Sequence, residues 1–331
     1  MLVFAVALTA NAQWQKQSAN TSASLRGLSV VDKNIVWASG ANGTFLRTTD
    51  GGRTWKVGKV PDADKLDFRD VEAFDRNTAY LLSIGNGDTS RIYKTTDGGE
   101  NWTLQFKNTD QRVFLDAFAF WDEQNGIALG DPVDNKFFLL GTSDGGKTWK
   151  RIEAATPPAQ PGEAAFAASG TCIVTTGVNE VWFVTGGKVA RVHHSKNRGA
   201  GWIISQVPFS RDTSDSSGIF SIAFDESAKN SVLVGGDYRK PQESTGTLAF
   251  FRNGKSWLPA SGLNGYRSGV AFVNQKTIVA VGSSGSDISR DAGKTWTNLD
   301  KENYNAVAAK GENAVWAVGA NGLVSKLTIV E

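Results

Sequence analysis

TTDGGRTW, at residues 48–55, recurs along this 331-residue chain with small changes. The other copies are TTDGGENW (95–102), TSDGGKTW (142–149), SKNRGAGW (195–202), FRNGKSW (251–257) and SRDAGKTW (289–296). Subtracting the successive positions of their tryptophans gives intervals of 47, 47, 53, 55 and 39 residues, about the length of a four-stranded propeller blade. The spacing therefore predicts a repeat protein built from such blades.

Each part of the repeated phrase suits a tight turn between two β-strands. The residue before the glycines can accept hydrogen bonds from backbone N–H groups ahead of it; the copies carry Asp50, Asp97, Asp144, Asn197 and Asp291 at this position. The glycines allow the positive φ of such turns, and the tryptophan supplies a large ring to bury between sheets. We therefore interpret these five residues as structural.

A second pattern allows the blades to be counted. Seven short apolar runs end in glycine, and they begin near residues 35, 79, 126, 181, 231, 277 and 315. No tryptophan strand follows the last run, but QWQKQ at residues 13–17 resembles the strands that the other tryptophans open. The pattern predicts an all-β, seven-bladed propeller whose N- and C-terminal strands complete one blade, which removes open sheet edges.

The beginning of the chain has the features of an export signal. LVFAVAL (2–8) is an apolar core too short to span a bilayer, and ANA (10–12) matches a signal-peptidase site. The charged segment that usually precedes such a core is missing, so we expect the natural start to lie upstream of Met1. We predict a signal peptide at residues 1–12, a single propeller domain at 13–331, and a periplasmic or secreted protein with no transmembrane segment of its own.

Composition narrows the function classes. A net charge of +2 without a run of Lys or Arg argues against nucleic-acid binding. Cys172 is the only cysteine, so the chain has neither an internal disulfide nor a cysteine metal motif. His193 and His194 are adjacent on a predicted strand and point to opposite faces, so they cannot both bind one metal in regular geometry. We predict no metal site and no cofactor.

The repeated phrase resembles the Asp-box, or BNR repeat, of sialidase-like propellers. The whole chain resembles the bacterial branch of the photosystem II assembly and stability factor family, also through FAFWD (118–122), GIALGDP (126–132), PGEAAFAASG (161–170), GGDY (235–238) and GYRS (265–268). This resemblance implies an exported propeller that contacts a protein partner in the envelope or at a membrane surface.

Binding residues of a propeller usually lie where the inner strands begin, around the mouth of the central channel. The segments before the glycine runs place charged and aromatic residues there, and the loops that end the next strands add more. The predicted site contains Arg26, Arg69, Asp70, Asp116, Asp131, Glu163, Asp237, Tyr238, Tyr266, Arg267 and Asp287.

Two functions fit these residues. Arg26, Arg69 and Arg267 can clamp a carboxylate or phosphate of a partner, or they can simply neutralise Asp70, Asp116 and Glu163 between blades. A glycoside hydrolase would instead use acids and a tyrosine, for which the candidates are Asp116, Glu163, Asp131 and Tyr238. The Phe-Arg-Ile-Pro motif of sialidases is absent, although a pair of catalytic carboxylates leaves no local motif. We predict a non-catalytic, assembly-factor-like protein, with a hydrolase acting on a glycan as the alternative.

Overall fold

The structure, a computed structural model, describes residues 12–153, 155–209, 213–252 and 256–329. Residues 1–11 of the predicted signal peptide therefore lie outside the described residues. The described strands form seven antiparallel sheets in chain order, which are the blades of a propeller around a central channel. The predicted all-β, seven-bladed fold is confirmed. No helix in the described ranges is long and apolar enough to cross a membrane.

The strands of the first three blades follow one another along the chain. Blade 1 contains β2 (Leu25–Val30), β3 (Val36–Gly40), β4 (Thr44–Thr48) and β5 (Lys56–Lys59). Blade 2 contains β6 (Phe68–Ala73), β7 (Ala79–Ser83), β8 (Arg91–Thr95) and β9 (Thr103–Lys107). Blade 3 contains β10 (Leu115–Phe120), β11 (Gly126–Val133), β12 (Lys136–Thr142) and β13 (Lys150–Arg151).

The remaining blades include the closing strand and an enlarged sheet. Blade 4 contains β15 (Ile173–Thr176), β16 (Glu180–Val184), β18 (Arg191–Ser195) and β19 (Ile203–Gln206). Blade 5 contains β20 (Ser217–Phe224), β21 (Ser231–Asp237), β22 (Leu248–Arg252) and β23 (Ser256–Ala260), to which β14 (Glu163–Ala164) and β17 (Gly186–Gly187) add two short strands. Blade 6 contains β24 (Gly269–Phe272), β25 (Ile278–Gly282), β26 (Gly285–Ser289) and β27 (Thr297–Asp300). Blade 7 contains β28 (Tyr304–Ala309), β29 (Val315–Gly319), β30 (Val324–Thr328) and β1 (Gln13–Gln17). Two 3₁₀ turns occur at Gly87–Thr89 and Ala320–Gly322.

The ring is closed by the N-terminal strand, as the sequence predicts. β1 pairs antiparallel with β30 from Gln13 opposite Thr328 to Gln17 opposite Val324. The indole N–H of Trp14 also donates to Ser286 Oγ of blade 6 at 2.9 Å. The closing strand therefore holds blade 7 together and fastens it to its neighbour.

The repeated turns have the hydrogen bonding that their sequence predicts. In the first copy, Thr48 Oγ1 donates to Asp50 Oδ1 at 2.8 Å, and Asp50 accepts from the backbone N–H and the hydroxyl of Thr54 at 2.9 and 2.6 Å. Hydrogen bonds from Thr54 lower the pKa of Asp50 to about 2. The carboxylate is thus fully used by its own turn, which begins at the end of the third strand.

The tryptophans of these turns pack between adjacent blades. Trp55 lies edge-on to Trp316 of blade 7, with ring centroids 5.5 Å apart, and Trp102 lies edge-on to Phe45 of blade 1 at 5.1 Å. A side chain at Gly52, where φ is +89°, would collide with Trp316. The glycine is therefore required both by the turn and by the ring that packs against it.

Blade 4 departs from the predicted pattern. Its inner strand β15 begins at Ile173, whereas sequence alignment with the other blades placed the start at Glu163. Residues 163–164 instead form β14, which pairs with β17 beside β20 of blade 5. The prediction that Glu163 begins an inner strand is wrong because residues 165–170 leave the blade at this point.

Candidate functional site at the channel mouth

The end of the propeller where the inner strands begin is called the mouth end here. Residues 165–170, the crossing segment, run over the channel at this end. Arg26 of blade 1 donates to the carbonyl oxygen of Ala168 at 3.3 Å, and Arg69 of blade 2 donates to that of Ala167 at 3.1 Å. Because these partners come from different blades, the segment spans the opening.

Further contacts hold the crossing segment from the other side. Ser169 Oγ donates to the carbonyl oxygen of Ser268, before the inner strand of blade 6, at 2.7 Å. The ring of Phe166 stacks on Phe220 of blade 5, with centroids 4.0 Å apart and planes 9° apart. Ala165 donates its backbone N–H to Asp131 of blade 3 at 3.0 Å. The segment therefore fills the channel at its mouth and leaves a pocket above it.

This channel-mouth pocket has a volume of about 530 Å³ and the crossing segment forms its floor. Six of the predicted site residues line it together: Arg26, Arg69, Asp116, Asp131, Tyr238 and Tyr266. Its walls also include Phe166, Phe220, Asn303 and Asn305. The predicted mouth thus brings together residues from nearly the whole ring.

One wall of the pocket is basic. Arg69 pairs with Asp67 at 2.7 Å, and each side chain is about one-third exposed. Arg26 makes no ion pair with any residue that the structure describes. Burial lowers the pKa of Arg26, and the charge of Arg69 lowers it further. Of these two neighbouring guanidinium groups, only that of Arg69 has an ion-paired carboxylate, so this wall of the pocket is locally positive.

The adjoining wall is acidic. Asp116 and Asp131 extend from β10 and β11, which pair side by side. Burial raises the pKa of Asp116 well above its usual range, and the charge of Asp131 raises it further. Asp116 Oδ2 has no hydrogen-bond partner among the described residues. Burial also raises the pKa of Asp131 to about 6, against the effect of the Ala165 N–H.

Aromatic rings complete the pocket. Phe220 lies edge-on to Tyr266 at 4.9 Å and to Tyr238 at 6.2 Å, in addition to its stacking on Phe166. Tyr238 is partly exposed, whereas Tyr266 is buried. The pocket therefore offers cationic, carboxylate and apolar surfaces side by side, a combination suited to a polar ligand with some apolar character.

Arg267 and Asp287 do not line the channel-mouth pocket, contrary to the prediction. Both side chains are fully buried in blade 6, where Arg267 Nη2 lies 2.6 Å from Asp287 Oδ2. A guanidinium that is fully enclosed cannot present its donors to a ligand. The predicted trio of mouth arginines is therefore a pair, Arg26 and Arg69.

Three predicted acidic residues also do not line the pocket. Glu163 is buried against Arg191, whose Nε donates to Glu163 Oε1 at 2.8 Å. Burial alone would raise the pKa of Glu163, but hydrogen bonds from His193 and Arg191 lower this pKa to about 2. Asp70 lies below the crossing segment and accepts the backbone N–H groups of Val71 and Phe118. Asp237 is buried and accepts from Arg239 N and Ser214 Oγ. The predicted neutralisation of these acids by the mouth arginines is wrong for Glu163, because Arg191 does this.

The histidines lie in packed positions on opposite faces of β18, as expected. His193 stacks on Phe183 with centroids 4.2 Å apart, and His194 stacks on Trp182 at 3.4 Å. Within the described ranges, no three His, Cys, Asp or Glu side chains are grouped so that they could hold a metal ion.

Sequence reasoning missed the crossing segment, although a signal for it was available. The interval from Trp149 to Trp202 is 53 residues, against 47 for each of the two before it. This difference of 6 residues indicates an insertion in blade 4. Its size does not reveal where the added residues go, because their partners lie in other blades.

Comparisons with known proteins agree with this architecture. No protein-family model matches the chain. Over 150 residues, 44% of this chain, it is 25% identical to the photosystem II assembly lipoprotein Ycf48 of Synechococcus sp. (strain CC9902). It is 23% identical over 219 residues, 58% of this chain, to the xyloglucanase Xgh74A of Acetivibrio thermocellus. The aligned regions span only 41% and 26% of the lengths of these two relatives.

Solved structures match over a larger part of the chain. The structure of YCF48 bound to D1 peptide has a TM-score of 0.70 at 16% identity and covers 96% of this chain and 97% of its own. YCF48 from Cyanidioschyzon merolae has a TM-score of 0.66 at 18% identity, covering 96% and 99%. The GH74 enzyme of Niastella koreensis has a TM-score of 0.62 at 14% identity and covers 95% of this chain but 53% of its own. By sequence and by its seven-bladed fold, the chain is thus a relative of the Ycf48 photosystem II assembly factors.

Proposed function

We propose that this chain is an exported, non-catalytic binding protein that captures a segment of a protein partner belonging to an envelope or membrane complex. The observation that carries the proposal is the basic wall of the channel-mouth pocket. Arg26 has no carboxylate partner among the described residues and lies beside Arg69, which has one. Such a pair can accept an acidic side chain or a terminal carboxylate, which guanidinium groups bind with two parallel hydrogen bonds.

The filled channel supports binding rather than catalysis. The crossing segment closes the opening with an alanine-rich floor, so the pocket is a recess in the surface of the mouth end. The aromatic rings beside the arginines suit apolar side chains that flank an acidic group. Ycf48 supports the same proposal, because a solved relative of this fold is bound to a D1 peptide.

The peptide of that complex provides a direct test. We expect fluorescently labelled D1 peptide to bind the wild-type protein in an anisotropy titration and to bind the Arg26→Ala/Arg69→Ala variant at least about tenfold more weakly, since hydrogen bonds to charged groups contribute about 1.5–3 kcal/mol. Arg53→Ala is the matched control, because Arg53 belongs to a repeated turn at the opposite end of blade 1. Equal affinities of the wild type and the double variant would contradict the proposal.

Export is proposed from residues 2–8 and 10–12, whose pattern is that of a signal peptide with a cleavage site. Cell fractionation followed by N-terminal sequencing tests it. We expect a chain that begins at Gln13 outside the cytoplasm. An uncleaved chain in the cytoplasmic fraction would refute the export proposal and leave the binding test unaffected.

A glycoside hydrolase is the second candidate, favoured by Asp116 and Asp131 and by the similarity to a xyloglucanase. Glycoside hydrolases use two nearby carboxyl groups, of which the one that acts as the acid has a raised pKa. Tyr238 lines the same pocket, whereas Glu163 is held by Arg191 and is no longer a candidate. Incubation with a glycan panel distinguishes the candidates: turnover that Asp116→Asn abolishes would replace the binding proposal with this one.

A further inference from the structure

A second recess at the mouth end is built almost entirely from amides and hydroxyls. It has a volume of about 450 Å³ and lies between blades 5 and 6. Its lining includes Gln242, Asn264, Ser283, Ser284, Asn298 and Lys301. We call it the amide groove. Ser283 lines both this groove and the channel-mouth pocket, so the two recesses are neighbours.

The buried pair Arg267–Asp287 holds the floor of the amide groove in position. Asn264 donates its side-chain amide to Asp287 Oδ1 at 2.8 Å and its backbone N–H to Oδ2 at 3.1 Å. Asn298 donates its amide to the carbonyl oxygen of Ser286 at 3.0 Å and to Asp287 Oδ1 at 3.3 Å. Arg267 in turn donates to Ser284 Oγ at 2.8 Å. Both asparagines are therefore oriented by a carboxylate beneath them.

This arrangement leaves a mixed set of acceptors and donors facing the groove. The amide nitrogens of Asn264 and Asn298 are used by the protein, while their oxygens accept no hydrogen bond from any described residue. Gln242 and Lys301 make no hydrogen bond or ion pair within the described ranges, and both are exposed. Acceptors and free donors in one groove can complement the N–H and C=O groups of an extended polypeptide.

We propose that the amide groove binds the main chain of an extended segment of the same partner whose acidic group contacts Arg26 and Arg69; the inference rests on the proposed function. Because Ser283 borders both recesses, one extended segment can reach from the arginines to the groove. A peptide is favoured over a glycan because the apolar face of a sugar ring needs an aromatic platform, and the groove lining contains no aromatic ring. Arg267 and Asp287 are positioning residues of this groove.

The experiment compares binding of the labelled D1 peptide by three proteins. In the Gln242→Ala/Lys301→Ala variant, two free donors are lost without loss of any internal contact, so stability should not change. We expect its peptide affinity to fall roughly three- to tenfold for each hydrogen bond removed. The Lys294→Ala control removes the same charge from the repeated turn of blade 6, at the opposite end, and should bind like the wild type.

A second readout isolates main-chain recognition. The probes are copies of the D1 peptide, each with one backbone amide N-methylated. At some positions, methylation should weaken binding to the wild type but not to the Asn298→Ala variant. Thermal melting checks that this variant is folded. If every groove variant binds the peptide like the wild type and only Arg26→Ala/Arg69→Ala loses affinity, the groove inference is overturned and the proposed function stands. No binding of the peptide by the wild type would overturn both. Binding of a xyloglucan oligosaccharide that Gln242→Ala/Lys301→Ala abolishes would assign the groove to a glycan and overturn the inference.

Discussion

The variant Arg267→Met tests whether Arg267 stabilises the fold, in contrast to Arg26 and Arg69, which face the pocket. Methionine retains the apolar part of the side chain and removes the guanidinium group from a site with no solvent exposure. The variant leaves the Asp287 carboxylate buried without its cation. It also removes the hydrogen bonds that Arg267 donates to Ser284 and to the carbonyl oxygens of Tyr266 and Asn264.

The size of the effect follows from the contacts that remain. Removing one partner of a buried ion pair costs about 3–5 kcal/mol. Asp287 keeps its hydrogen bonds from Asn264 and Asn298, so we expect the lower end of that range, about 3 kcal/mol. With an unfolding entropy near 2.1 cal/mol/K per residue and 331 residues, each kcal/mol corresponds to roughly 1.4 °C, and Tm should fall by about 4 °C.

Thermal melting monitored by circular dichroism measures this change. The double variant Arg267→Met/Asp287→Asn removes both charges and keeps an amide oxygen for Asn264 and Asn298, so it should recover most of the lost stability. Arg26→Ala/Arg69→Ala should show the opposite behaviour, with a smaller change in Tm and a large loss of peptide binding. An unchanged Tm for Arg267→Met, or equal losses in the single and double variants, would refute the assignment of Arg267 to a coupled buried pair.

Three further predictions concern closure, the repeated turns and pH. Deletion of residues 312–331 removes the partners of β1 and should cause aggregation or loss of a cooperative melt; unchanged melting would refute closure by β1 and β30. The variant Asp97→Ala should have a lower Tm, because the hydrogen bonds from Asn101 are lost, and an unchanged peptide affinity. A loss of peptide affinity at constant Tm would show that the turn takes part in binding. Burial raises the pKa of Asp70 to about 7, above its unfolded value of about 4. The folded protein therefore holds this proton between about pH 4 and 7, and stability falls as pH rises through that window. Asp70→Asn should flatten the decline in Tm between pH 5 and 7, and an unaltered decline would show that another group causes it.

Much of the fold can be predicted from the sequence because its causes are local. The hydrogen bonds of the first repeated turn join Thr48, Asp50 and Thr54, which all lie within one eight-residue phrase. The closing strand is equally predictable, since a seventh tryptophan strand is needed and QWQKQ at residues 13–17 supplies it. Part of the pocket is predictable for a related reason: Arg26, Arg69 and Asp116 are each the second residue of an inner strand, at the same end of a blade.

The rest of the site depends on contacts between residues far apart in the sequence. The crossing segment is held by Arg26, which is 142 residues from Ala168, and by Ser268, which is 99 residues from Ser169. No local pattern encodes such pairings, because they exist only after the ring has closed.

The sequence by itself determined the type, number and order of the blades, because repeated turns and strand periodicity act within a few residues. Only the tertiary structure decided which charges face solvent. The strand registers place Arg267 where Leu25 lies in blade 1, one position before the place of Arg26, so Arg267 is enclosed with Asp287 while Arg26 faces an open pocket. The charge of Arg267 can be enclosed because that of Asp287 is buried with it, and the packing of the folded chain supplies this partner.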